Sequence, residues 1–155
     1  MPRLGEMADI DNIDLRLLRL LADDSKVSLK KMAREVGLSI TGVNKRIERL
    51  EKNGVIKQYS AIIDPKKLGY GVSAFVRVEV SPSGMDDLIR ALRNKHEVCE
   101  MHKVTGERQL MMKVRARDQE SLNRFLEENI SGRDGVRHVT TTMAMATFKE
   151  TLLNP

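Results

Sequence analysis

Thr41, Gly42, Asn44 and Lys45 follow one another closely, with Ser39 just ahead and Arg46 and Arg49 one turn further on. On a helix this set could read the base edges of duplex DNA. Asn pairs bidentately with adenine, Lys reaches guanine O6 and N7, and Thr offers its methyl group to thymine. Gly42 would let the backbone approach the duplex, at a cost of about 1 kcal/mol relative to Ala in a helix interior. Arg46 and Arg49 lie where phosphates would pass. Ser28 and Lys30, at the head of the preceding helical pattern, suit phosphate as well, aided by the helix N-terminus. The competing reading is a polar, solvated outer face, or a surface for protein contacts.

Other chemistries find less support. His96, His102 and His138 are far apart and lack paired metal-ligand spacing, and Cys99 stands alone; no metal site is expected. Cys99 and His102 lie three apart in a strand-like segment, on opposite faces, which argues against a nucleophile and its base. There is no G-x-G-x-x-G, phosphate-binding loop or G-x-S-x-G. No enzyme and no cofactor are expected. With aromatic content of 3% and no Trp, stacking on single strands or RNA is disfavoured.

Composition agrees. The 155 residues, 41% hydrophobic and 32% charged, fit one or two small folded domains. A lone cysteine suits a reducing compartment, and no apolar run is long enough to span a bilayer, so a cytoplasmic location is expected. The net charge of +5 is unevenly placed. Residues 1–24 carry three bases against six acids, a net of −3, whereas residues 25–60 carry nine bases against three acids, a net of +6. Clustered positive charge of that kind is what phosphate binding requires.

Three helical patterns position these residues. Ile13, Leu17, Leu20 and Leu21 form the first apolar stripe, with Asp9 or Asp11 as its cap. Leu29, Met32, Ala33 and Val36 form the second, between Ser28 as N-cap and Gly37 as stop. Ile40, Val43, Ile47 and Leu50 form the third, with Ser39 as N-cap and Gly54 as terminator. A link of three residues, Gly37-Leu38-Ser39, joins the last two helices, and Ala33 permits close approach. The pattern predicts a helix-turn-helix.

Residues 55–71 read as a strand and then a connection broken by Asp64-Pro65, Gly69 and Gly71. Beyond it come a strand at 72–80, a break at Pro82 to Gly84, and a helix bearing Met85, Leu88, Ile89 and Leu92. Two strands follow around a turn at Gly106, then a helix bearing Leu122, Phe125, Leu126 and Ile130, and a last strand at 136–148. The order β-α-β-β-α-β predicts a ferredoxin-like α+β sandwich. The division expected is 1–60 for a winged-helix-like helix-turn-helix domain, 61–71 for a strand and linker, and 72–155 for the sandwich. Phe75 beside Val76 and Met111 beside Met112 make the sheet apolar on both faces, so a second copy packing sheet on sheet is expected.

The segments I-D-x-x-D (Ile10-Asp11, Asp14), L-S-x-x-x-V-x-x-R-I-x-x-L-E-x-x-G-V-I (Leu38 to Ile56) and D-P-x-x-L-G-Y (Asp64 to Tyr70) resemble the Lrp/AsnC, or feast/famine, family of prokaryotic transcription regulators. The resemblance extends over almost the whole chain. It implies a sequence-specific regulator of amino-acid or related metabolism genes that binds double-stranded DNA. It also implies homodimers that assemble further, commonly to octamers, and an amino-acid effector held between subunits.

The family's ligand loop often reads T-G-[DE]-x-D. Here it is Thr105-Gly106-Glu107-Arg108-Gln109, and Thr141 matches one of two alternate threonines on the last strand while Val139 occupies the other position. Gln109 gives up the charge-assisted bond that a carboxylate makes to an α-ammonium, and Arg108 adds a base able to attract a carboxylate. An altered sensor and a domain used for assembly alone are both open. The alternative function is an architectural protein that bridges or wraps DNA with little specificity and without an effector.

Overall fold

A computed structural model describes residues 9–106 and 109–150. The chain divides into two compact units, one running up to Ile62 and the other spanning Ile63–Phe148.

The first unit is trihelical: α1 Asn12–Asp23, α2 Leu29–Val36 and α3 Ile40–Lys52. Local chemistry sets each boundary. Asp11 caps α1 in a reciprocal capping box, accepting from the Asp14 amide at 2.9 Å while Asp14 accepts from the Asp11 amide at 3.1 Å. Ser28 and Ser39 cap α2 and α3 through the Lys31 and Gly42 amides. Gly37 ends α2 in the left-handed region, at φ 73°, where an L side chain would be strained. Leu17, Met32, Ala33, Val36, Val43 and Ile47 are buried together as the core. Ile40, expected on that face, is 49% exposed, because it lies in the first turn of α3, ahead of the buried Val43.

The strand expected from Val55 is absent. Val55 and Ile56 fold back onto the Leu50 carbonyl, at 2.9 and 3.2 Å, and residues 57–64 form no ladder. The reason is non-local: a strand needs an extended neighbour for its backbone groups, and the described part of this unit offers only helices.

The second unit holds β1 Val72–Val80, α4 Pro82–Leu92, β2 Val98–Val104, β3 Gln109–Ala116, α5 Gln119–Leu126 and β4 Val136–Met143. The strands form one antiparallel sheet in the order β2-β3-β1-β4, the ferredoxin-like arrangement. Ala74, Val76, Val78 and Val80 of β1, with Leu110, Met112, Val114 and Ala116 of β3, point to the face packed with Leu88 and Leu92 of α4 and Leu122 and Phe125 of α5. Phe75, Arg77, Met111 and Lys113 lie on the opposite face, where Phe75 is 42% exposed.

Three local expectations need correction. Pro82 to Gly84 are not a break but the first turn of α4, with Pro82 at a position where its missing N–H costs nothing and Ser81 as N-cap. The last helix does not end regularly: α5 runs into a wider π turn at Glu127–Ser131, which buries Asn129 and Ile130 together. Asn129 Nδ2 donates to the Phe125 carbonyl at 2.9 Å. The last strand stops at Met143 rather than reaching Phe148, because its partner β1 begins at Val72; the final ladder-like bond runs from the Ala144 amide to the Ser73 carbonyl at 2.8 Å. Met145 and Phe148 are almost wholly exposed.

Candidate nucleic-acid interface and ligand loop

The turn Gly37-Leu38-Ser39 leads directly into α3, and the Ser39 cap fixes where that helix starts. Thr41 and Lys45 are exposed one turn apart, and Asn44 beside them is partly covered. Asn44 Nδ2 donates to Glu48 Oε1 at 2.6 Å, which orients the amide and leaves its carbonyl oxygen and second N–H available. A side chain at Gly42 would approach Ser39 Oγ at 3.2 Å, so this glycine makes room for the cap as well as offering bare backbone. Ser28 and Lys30 are exposed at the start of α2.

Arg46 and Arg49, expected to meet phosphates, both carry ion pairs within the trihelical unit. Arg46 Nη1 lies 2.7 Å from Asp11 Oδ2 and 2.9 Å from Asp14 Oδ1, and Arg49 Nη2 lies 2.5 Å from Asp14 Oδ2. Asp14 has no exposed surface, whereas the side chains of Arg46, Arg49 and Asp11 are 27%, 44% and 49% exposed. Two guanidinium groups therefore meet two carboxylates, one sealed and one at the surface. The Asp14 amide, and after it Arg46, hold the Asp11 carboxyl below the usual aspartate range. The same contacts, that to Asp11 first, raise Arg46 further above its ordinary value. In the sequence Asp11 reads as a cap and a motif letter, and Asp14 as a motif letter alone. The signal was available, since Asp14 stands one turn before Leu17 on the buried stripe, where a charge requires a partner.

In the second unit Thr105 and Gly106 form the described part of the β2–β3 turn, Gly106 at φ 114°. Glu107 and Arg108 lie outside the described residues. Gln109 opens β3 opposite Val104 and Glu79. Thr141 is opposite Val76 on β4, with β1 between it and β3. Its partner Val76 belongs to the helix-covered face, and Gln109 to the other, so one chain does not bring Thr141 and Gln109 together. Val139 is opposite Val78 and packs against the core. Two shallow hollows, one lined by Gly84, Asp87 and Arg133 and the other by Tyr70, Glu97 and Arg117, include none of these residues. Among the described residues no group of His, Cys, Asp and Glu could hold a metal ion, and no helix is long and apolar enough to cross a membrane.

A capped helix-turn-helix ahead of a ferredoxin-like sandwich is the layout of a helix-turn-helix transcription regulator, and the comparisons bear out that class. Residues 10–57 match the winged helix-turn-helix DNA-binding family model, and residues 73–153 match the Lrp/AsnC ligand binding domain. The HTH-type transcriptional regulator FL11 of Pyrococcus horikoshii is 34% identical over 142 residues, covering 92% of this chain and 93% of that protein. The solved structure of the feast or famine regulatory protein Rv3291c from M. tuberculosis, complexed with L-methionine, is 35% identical with a TM-score of 0.82, covering 90% of this chain and 95% of that one. AsnC of E. coli, 24% identical with a TM-score of 0.87 over 94% of this chain and 99% of that one, shares the fold. The chain belongs to the Lrp/AsnC family of transcription regulators.

Proposed function

We propose that the protein reads specific operators with the N-terminal half of α3 and that an amino acid tunes it at a contact between subunits. Thr41, Asn44 and Lys45 face base edges, and Gly42 and Ser39 let the backbone approach. Ser28 and Lys30 hold a phosphate at the head of α2. Arg46 and Arg49 reach phosphate only in competition with Asp11 and Asp14. The observation that carries this reading is the hydrogen-bonding surface of exposed Thr41 and Lys45 with half-buried Asn44 behind a capped start. Asn44→Ala is expected to cost about 1–3 kcal/mol at particular base pairs and little elsewhere. Uniform loss across all duplexes, read by competition binding, would favour the architectural alternative.

The effector reading rests on two supports. Thr141 and Gln109 lie on opposite faces of one sheet, so a site using both needs a second copy, and the Rv3291c relative was solved with L-methionine. The exposed Phe75, with Met111 on the same face, supports sheet-on-sheet dimers, with further assembly to an octamer as the family form. Such an effector supports a role in controlling amino-acid or related metabolism genes. A thermal-shift panel of the twenty amino acids tests it. A ligand at ~100 times its dissociation constant stabilises by about 2.7 kcal/mol, whereas a flat panel beside intact DNA binding would leave the sandwich an assembly domain alone.

A further inference from the structure

The acidic head of the chain and its basic helix are each other's counterions, and the two carboxylates are not equivalent. Asp14 is sealed and bound by both guanidinium groups, so it is a permanent partner. Asp11 is half exposed and holds Arg46 alone, at 2.7 Å. The two guanidinium charges are cancelled by the two carboxylates, so the cluster has no net positive charge with which to displace the cations condensed on DNA. Without the Asp11 charge, Asp14 offsets only one of the two arginines, and one positive charge is left for a phosphate. We propose that Asp11 is a specificity-determining residue: by holding Arg46 it subtracts a phosphate contact from sequence-independent binding, leaving discrimination to Thr41, Asn44 and Lys45.

The inference rests on the placement of α3 in the groove, and the experiment separates the two. Binding to a mixed-sequence DNA duplex is measured by fluorescence anisotropy over a salt series, with thermal unfolding of each variant alongside. Asp11→Asn removes the charge but keeps an equally good N-cap; Asp11→Ser does the same with a different side chain. Both are expected to bind the duplex more tightly, with the slope of log K against log salt steeper by about 0.9, one more phosphate neutralised. The double variant Asp11→Asn/Arg46→Gln, in which Arg49 still answers Asp14, is expected to lose that increment. An unchanged or shallower slope in Asp11→Asn and Asp11→Ser overturns the proposal. So does a gain that survives in the double variant, since mere loss of a negative charge would then explain it. Lys45→Gln tests the underlying placement: weaker binding supports α3 in the groove, and unchanged binding removes that reading and this inference together.

Discussion

Asp14, wholly buried in α1, accepts from Arg49 Nη2 at 2.5 Å across 35 positions of sequence, and Arg46 shares the same carboxylate. Asp14, the one fully buried charge among the described residues, therefore anchors α3 to α1.

This arrangement makes the two arginines interdependent. Loss of either leaves Asp14 one guanidinium, and loss of both leaves a buried charge unanswered, for which about 3–5 kcal/mol is typical. Chemical denaturation of Arg46→Ala, Arg49→Ala and the double variant should give a double-mutant cost larger than the sum of the singles.

Gly84 offers a test of packing in the second unit. A Cβ there would stand 2.8 Å from the Asp134 carbonyl oxygen and 3.3 Å from the Gly135 Cα, both backbone atoms that cannot swing aside. Gly84→Ala should destabilise by roughly 1–3 kcal/mol, the usual cost of overpacking. Gly132, with open space around it and φ at −94°, should accept Ala without loss. Urea denaturation of the two variants compares them directly.

Tyr59 provides an alkaline probe. Partial burial first, and the hydrogen bond it donates to Glu51 Oε1 at 2.7 Å second, push its hydroxyl up to about 12 from an ordinary 10.0. The folded state thus keeps the proton that the unfolded chain releases, so this contribution is complete below pH 10 and is lost as pH rises toward 12. In Tyr70→Phe, where Tyr59 is the remaining tyrosine, the ultraviolet tyrosinate titration should centre near 12, and Glu51→Gln should lower it.

At the acid end Asp118 behaves oppositely. The Ser121 amide, donating at 2.7 Å, holds its carboxyl below the ordinary 3.8, and Arg124 and Arg117 assist. The unfolded chain then takes up the proton first, so the stabilisation is present above pH 3.8 and declines as pH falls through the lower folded value. Thermal midpoints measured from neutral pH downward should fall less steeply in Asp118→Asn, which keeps the cap without the charge.

What the sequence disclosed follows how local each cause is. Ser28, Ser39 and Gly37 set helix ends through atoms three or four residues away, and these ends were legible. The strand expected after Val55 and the last residues of the expected strand at 136–148 depend on whether another segment lies alongside, and no local pattern contains that information. The exposed side of α3 bearing Thr41 and Lys45 is legible from helix phase, but the partners of Arg46 and Arg49 are not, because Asp11 and Asp14 lie more than thirty positions away. The candidate ligand loop is visible as a motif, whereas the separation of Gln109 from Thr141 emerges only with the strand order.

The π turn at Glu127–Ser131 carries a consequence for how this chain tolerates changes in length. The π turn holds one residue more than a regular α-helix, which turns about 100° per residue, so Ile130, five positions after Phe125, still reaches the face shared by Leu122 and Phe125. Removing Glu127 or Glu128 would place it four after Phe125 in a regular helix, on that same face. A relative one residue shorter at Glu127 or Glu128 would therefore keep the same buried face with an unbroken helix, and an alignment gap placed there would hold Ile130 and the positions after it in register.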